Sequence, residues 1–359
     1  MESKSAAIVG AGIAGLAAAI ALRKSGWQVH VFEQAAAFSG VGAGLVLLPN
    51  GFAALDAIGL GDAVRAVGSS FAFGAVRDHR GRELSRASRS GPDFMCLRRP
   101  DLLRILHEAL PEDSLHMNCR IESVDTAGVV LVAGQVRQFD IVVLADGVRS
   151  SLRGQWWPEI EPRRTGVIAW RWIADCPLSD FAGIYLGPDF ELGMLPLPGR
   201  RTLGFAALPD DGVDLERCLG MHPDIDRVIG RYGFDDCHRD ELVEIRPPRN
   251  LHRGAVALLG DAAHGMRPHL GQGAGLALED AVTLAHYAPD LAGYSRARRR
   301  RVRVASSIAN HLGSVTVPPH RWLSTPRNAL LQIIPSRVSA TALLAVASWQ
   351  APVTAVALP

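Results

Sequence analysis

The residues best spaced for chemistry are three glycines near one end of the chain and an aspartate-led cluster towards the other. Gly10, Gly12 and Gly15 make a G-x-G-x-x-G turn straight after the apolar run Ala6-Ala7-Ile8-Val9. In such a turn the first glycine allows a tight reversal, the second lets backbone approach a pyrophosphate, and the third lets helix and strand pack closely. Residues 13–25 are rich in alanine and stop at Gly26, so a helix should aim its free N–H groups at that pyrophosphate. Glu33 closes the alternating run that follows, where an acid takes a ribose 2′-hydroxyl and repels a 2′-phosphate. Strand, helix and acid in this order read as a βαβ dinucleotide unit.

The glycine turn alone does not choose between dinucleotides. The later cluster does. Gly260-Asp261 follows the buried-strand run Ala255-Val256-Ala257-Leu258-Leu259, with His264, Pro268 and Gly271 beyond it and a helix opening at Gly273 and Ala274. A carboxylate at the carboxyl end of a parallel strand can accept a ribityl hydroxyl, so Asp261 is expected to hold that part of FAD. Backbone N–H groups of Gly273 and Ala274 suit the flavin oxygens, and a helix amino terminus favours the negative charge of reduced flavin.

With these motifs the chain resembles the single-component FAD-dependent aromatic hydroxylases, the group A monooxygenases with the para-hydroxybenzoate hydroxylase fold, which include the salicylate hydroxylases. The resemblance runs in order over residues 1–310. It also rests on Asp146-Gly147-x-Arg149-Ser150-x-Leu152-Arg153, which matches the family's DG motif, and on Arg99-Pro100-Asp101-Leu102, which matches its R-x-D-L. It implies that Asp146 serves FAD and pyridine nucleotide, and that Arg99 rather than Arg98 contacts the cofactor. It implies that NADH or NADPH reduces FAD, O₂ adds as a C4a-hydroperoxide, and one oxygen passes to an aromatic or polycyclic small molecule. No second G-x-G-x-x-G is present, so the nicotinamide should dock transiently, or an external reductase should supply electrons. Two departures are local: Gly265 stands where the family often has proline, which should loosen the loop against the flavin, and Leu144 replaces a small residue.

Within that reading His269, in Arg267-Pro268-His269-Leu270, is the candidate base for making a phenolate, and His264 is expected to order the loop. Arg171, in Trp170-Arg171-Trp172, can bind an anionic substrate group or pair with an acid in its sheet. The strands around Leu192-Gly193-Met194-Leu195 and Leu203-Gly204-Phe205-Ala206 offer apolar walls and no evident carboxylate, which favours a hydrophobic substrate. An epoxidase or N-hydroxylase would share all these features. A halogenase fits less well, because Ala174 replaces the proline of its W-x-W-x-I-P and the only lysines are Lys4 and Lys24. A non-catalytic flavin-binding protein is the remaining alternative.

The elements that must position these groups imply an α/β fold: a Rossmann-like FAD-binding domain with an inserted β-sheet substrate domain. Residues 1–70, 97–160 and 250–310 are assigned to the first, 71–96 and 161–249 to the second, and 311–359 to a C-terminal helical segment. A chain of 359 residues with 48% hydrophobic and 21% charged residues has the composition of a soluble globular enzyme. A net charge of +2 implies no general polyanion binding, and the run from Arg296 to Arg303 reads as a solvated helix face without aromatics for stacking bases. No nucleic-acid partner and no metal site are expected. Five cysteines without a C-x-x-C pair read as reduced thiols of a cytoplasmic protein, monomer or homodimer. The apolar tail from Ala340 reads as a packed helix with no stable membrane insertion, since Gln350, Pro352 and Thr354 interrupt it.

Overall fold

The computed structural model describes residues 3–38, 44–71, 73–89, 93–178, 182–212, 214–230, 237–335 and 346–352. The α/β expectation holds. Six strands form one sheet in the order His252–Arg253, Val256–Leu258, Ile141–Leu144, Ser5–Val9, Gln28–Phe32 and Leu115–His116, all parallel except the first. Every residue of Ile141–Leu144 and Val256–Leu258 is buried. Such continuous apolar strands suit a parallel sheet covered on both faces. The helix Ile13–Lys24 is buried almost all round, because alanines let it lie between this sheet and the helix Gly273–Tyr287.

A second sheet of seven strands runs His238–Glu244, Arg163–Ala174, Arg201–Pro209, Glu191–Leu197, Gly183–Leu186, Phe73–Asp78 and Glu83–Arg89. Its two faces have separate tasks. Trp170, Trp172, Leu192, Met194 and Leu208 point into a closed core beneath the helix Pro223–Ile229. On the opposite face Ile173, Leu195, Leu203 and Phe205 meet Val46 and Cys96 of a small sheet formed by Gly44–Leu47, Met95–Arg98 and Ser69–Ser70. The apolar walls expected from sequence therefore divide: Leu192, Met194 and Ala206 are core, while Leu195, Leu203 and Phe205 look towards the small three-stranded sheet. Gly193 makes this possible, because a Cβ there would stand 1.9 Å from the Phe205 ring.

The arginine run lies in the helix Leu291–Thr316. It is not simply a solvated face. Arg298 is 1% exposed and Arg301 also turns inward, both onto acids of the helix Gly273–Tyr287. Of the apolar tail, residues 346–352 are described. Val346 and Ala347 are buried against Leu276, Ala305, Leu48 and Phe94. Among the described residues no helix is long and apolar enough to cross a membrane, and no group of side chains could hold a metal ion.

Candidate active site

Four strand ends meet along one edge of the parallel sheet. Gly10 follows Ser5–Val9, Glu33 follows Gln28–Phe32, Asp146 follows Ile141–Leu144, and Asp261 follows Val256–Leu258. This carboxyl edge is where open parallel sheets hold ligands. Gly10 has φ +100°, and a Cβ on it would lie 2.6 Å from the Ala145 carbonyl oxygen. Gly15 is sealed in the same way: a Cβ there would lie 1.9 Å from the Gly10 oxygen. Gly12, which caps the helix Ile13–Lys24, faces open space with nothing within 4 Å. The turn is therefore closed by protein at Gly10 and Gly15 and left open at Gly12, the position through which a pyrophosphate would approach.

Glu33 accepts hydrogen bonds from the backbone N–H groups of Ala11 (2.8 Å) and Ala35 (2.9 Å). A carboxylate keeps further lone pairs for ribose hydroxyls. Asp146 has one buried oxygen without a hydrogen-bond partner among the described residues, and burial pushes its carboxyl up against the opposing pull of Ser150 and Arg153. Asp261 is exposed at the start of the short helix Asp261–His264, and the Cβ position of Gly273 is 4.0 Å from its Oδ1. Beside them the Gln272 side-chain amide nitrogen is buried, with no partner among the described residues. An open glycine turn, unused acceptors on Asp146 and an unused donor on Gln272 fit a dinucleotide that carries hydroxyls and a polar ring.

Other residues hold this edge in place, and of these only His264 has a role expected from the sequence. Arg153, 1% exposed, donates to the Val148 carbonyl in its own motif (2.8 Å) and to the Ala262 carbonyl after Asp261 (3.2 Å). His264 Nε2 lies 2.6 Å from Asp280 Oδ2, which also accepts the Gly260 N–H. That agrees with a loop-ordering role for His264. Glu279 takes Arg298, a two-pronged contact from Arg301, and the side-chain amide of Asn50 (2.7 Å). The signal for this network was the Glu279-Asp280 pair inside an otherwise apolar helix, since two buried acids require buried cations. Gly265 does not loosen the loop. A Cβ there would stand 2.5 Å from Val148 Cγ2, and its carbonyl accepts the Ile245 N–H at 2.8 Å.

The substrate-side candidates converge on the inner face of the seven-stranded sheet. Arg171 stands opposite Phe205 and His238 in register and pairs with the Asp240 carboxylate, which also takes His238 Nε2 at 3.0 Å. The acid-pairing alternative for Arg171 is thus present in the geometry. Burial, and then the charge of Arg99, lower the Arg171 guanidinium from its ordinary range, so the two predicted arginines lie within electrostatic reach. Arg98 sits just before the helix Arg99–Glu108, 3.8 Å from Asp101. His269 turns its ring into a slot next to Gly313, with Nε2 3.6 Å from Glu191 Oε2. Glu191 shares a sheet row with Ala207 and Ala169, so it lies on the same face as Arg171. The sequence reading found no carboxylate in these strands; Glu191 is one. Among the described residues, both His269 nitrogens and Glu191 Oε2 are buried without a hydrogen-bond partner.

The FAD binding domain family model matches residues 3–174 and 244–293. Among characterised relatives, the chain is 34% identical to aurachin C monooxygenase/isomerase of Stigmatella aurantiaca over 77% of this chain and 79% of that protein. It is 32% identical to 2-heptyl-3-hydroxy-4(1H)-quinolone synthase of Pseudomonas aeruginosa over 92% and 94%. Among solved structures, Klebsiella pneumoniae HpxO complexed with FAD and uric acid superposes with a TM-score of 0.85 at 26% identity, covering 96% of each chain.

Proposed function

The chain belongs to the FAD binding domain family and is an FAD-dependent aromatic monooxygenase; from that premise we propose that its oxygen acceptor is a flat, hydrophobic heteroaromatic ring. The observation that carries this reading is the inner face of the seven-stranded sheet. Phe205 lies over Gly193 with Leu195, Leu203 and Ile173 on the same face, Arg171 stands in the Phe205 row, and Glu191 with His269 lies one row further along that face. An apolar floor with a few convergent polar groups suits an aromatic small molecule. The relative named for a quinolone and the neighbour solved with uric acid are consistent with a nitrogen heterocycle.

When bound, FAD supplies the electron transfer from NADH or NADPH and the activation of O₂. The chain supplies positioning. Gly12 would admit the pyrophosphate in the turn that Gly10 and Gly15 close, Glu33 and Asp261 would take hydroxyls, Arg99 and Asp146 would contact the cofactor, and the N–H groups of Gly273 and Ala274 would serve the flavin oxygens. Glu191 and His269 take up the proton that a ring hydroxyl or ring N–H releases. Three buried polar atoms without partners are costly, and a shared proton or a substrate contact relieves that cost. Arg171, held by Asp240, orients the ligand. The domain division given above, a monomer or homodimer, and a cytoplasmic location belong to the same reading; five cysteines without a C-x-x-C pair support the last.

The test is rapid mixing of FAD-loaded protein with the nicotinamide donor under anaerobic conditions, with and without quinolones, hydroxypyridines and simple phenols. Acceleration of flavin reduction by the bicyclic heteroaromatics is the expected result. Acceleration by simple phenols alone would overturn the assigned substrate class. Epoxidation or N-hydroxylation would differ only in the product, which mass spectrometry and NMR identify.

A further inference from the structure

On the outer side of the helix Leu291–Thr316 a cavity of about 880 Å³ is lined by Arg163, Arg246, Arg249, Arg299, Arg300 and Arg303. All six side chains belong to exposed residues. Among the described residues none of the six has an ion-pair or hydrogen-bond partner, although twenty-five such ion pairs occur elsewhere in the molecule. The one acid in the lining, Glu244, is taken by Arg267 at 2.8 Å. Folding gains nothing from collecting six unneutralised guanidinium groups around one hollow. The arrangement creates a focused positive potential, and planar guanidinium forks match phosphate oxygens in pairs.

The groove adjoins the cofactor edge without being part of it. Ile245 in its wall donates its N–H to Gly265, and the Arg267 backbone N–H reaches Asn310 on the long helix at 3.1 Å. Arg149 of the Asp146 motif reaches Glu241, on the strand that leads into the wall, at 3.7 Å. A ligand bound there sits one loop away from both motifs.

We propose that this groove docks the phosphates of the nicotinamide donor and selects NADPH over NADH. The proposal rests on the reading that the chain accepts electrons from a nicotinamide nucleotide. The chain has a single G-x-G-x-x-G unit, and Glu33 there disfavours a 2′-phosphate, so a second nucleotide must find its charge partners elsewhere. NADPH differs from NADH by a phosphomonoester carrying roughly −1.5 to −2 charge at neutral pH. Six arginines exceed what a pyrophosphate alone can use, and the surplus fits that added group. The hollow favours a compact polyanion over a lipid surface, and its described lining has no Phe, Tyr or Trp for stacking nucleic-acid bases, only His311.

The experiment is calorimetric titration of FAD-loaded protein with 2′,5′-ADP and with NADP⁺, neither of which requires turnover. The native chain is compared with the variant Arg299→Glu/Arg300→Glu/Arg303→Glu and with the milder Arg246→Gln/Arg249→Gln, at low and at high salt. The expected result is affinity at least tenfold weaker in the triple variant, with flavin content and thermal midpoint retained, together with a smaller salt dependence. In steady state the preference for NADPH over NADH should shrink in step. Unchanged 2′,5′-ADP affinity in both variants would overturn the proposal. So would arginine-dependent binding of anionic vesicles or single-stranded DNA that 2′,5′-ADP does not displace. A protein that binds 2′,5′-ADP through these arginines yet oxygenates no aromatic would support the groove while removing the substrate reading, so the two failures separate.

Discussion

Arg298 Nε lies 2.6 Å from Asp280 Oδ1, and both side chains are withdrawn from water. The same guanidinium reaches Glu279 at 2.6 Å, so one arginine bridges two adjacent acids, and Arg301 adds a second positive charge at Glu279, on the helix whose amino terminus faces the candidate flavin site. Removing one member of a buried ion pair typically costs about 3–5 kcal/mol, because the partner charge stays buried and unmet. Arg298→Ala should therefore lower the thermal midpoint sharply and lose FAD during purification. Arg296→Ala, whose residue is exposed with one distant acid at 3.4 Å, should change the midpoint little. Equal midpoints in the two variants would remove the structural role of the pair.

Acid should act through Asp280. Burial alone would raise its carboxyl, but Arg298 and His264 outweigh that and hold it below the ordinary carboxylate range. A folded value below the unfolded one, about 3.9, means that the stabilisation is present above that pH and is lost as pH falls through the lower folded value. The stability gap between the native chain and Asp280→Asn should be widest at neutral pH and narrow only below about pH 4. Chemical denaturation across pH 7 to 3 checks this; a gap that narrows between pH 8 and 6 would show that another group titrates.

The two inner glycines of the first motif should separate folding from cofactor binding. Gly15→Ala places a Cβ 1.9 Å from the Gly10 carbonyl oxygen, so the helix must move off the strand and folding yield should fall. At Gly12 nothing lies within 4 Å, so Gly12→Ala should fold with a native circular dichroism spectrum and yet bind FAD more weakly. Native FAD affinity in Gly12→Ala would place the pyrophosphate elsewhere. Asp261→Ala should likewise retain the fold while weakening FAD retention or reduction.

Glu191→Gln and His269→Gln should preserve flavin binding and lower oxygenation by about a hundredfold, the scale of one positioned proton acceptor. Oxygenation at the native rate in both variants would leave the pair a packing role only.

The cofactor half of the molecule was legible because its determinants are local. Continuous apolar strands, the alanine-rich helix and glycines at fixed offsets state their structure within a few residues, and the α/β fold and the strand-end placement of Glu33, Asp146 and Asp261 follow. The substrate half was less legible, since alternation along Glu191–Leu197 shows that two faces exist but not which one meets the cofactor. Glu191 became visible only when register set it in the row of Ala169, on the face of Arg171. The arginine run misled for a similar reason. Helical periodicity suggests a solvated face, but the partners of Arg298 and Arg301 lie on another helix, and the unpaired remainder faces a cavity whose other wall comes from residues 244–249.

The most direct test of the central claim is to supply FAD-loaded protein with NADPH or NADH in an atmosphere of isotopically labelled dioxygen and a panel of quinolones, hydroxypyridines and phenols. Nucleotide consumption and product mass are read together. The account predicts that a flat heteroaromatic both speeds consumption and emerges with one labelled oxygen atom. Consumption that yields only hydrogen peroxide with every ligand, or labelled product from none of them, would contradict it.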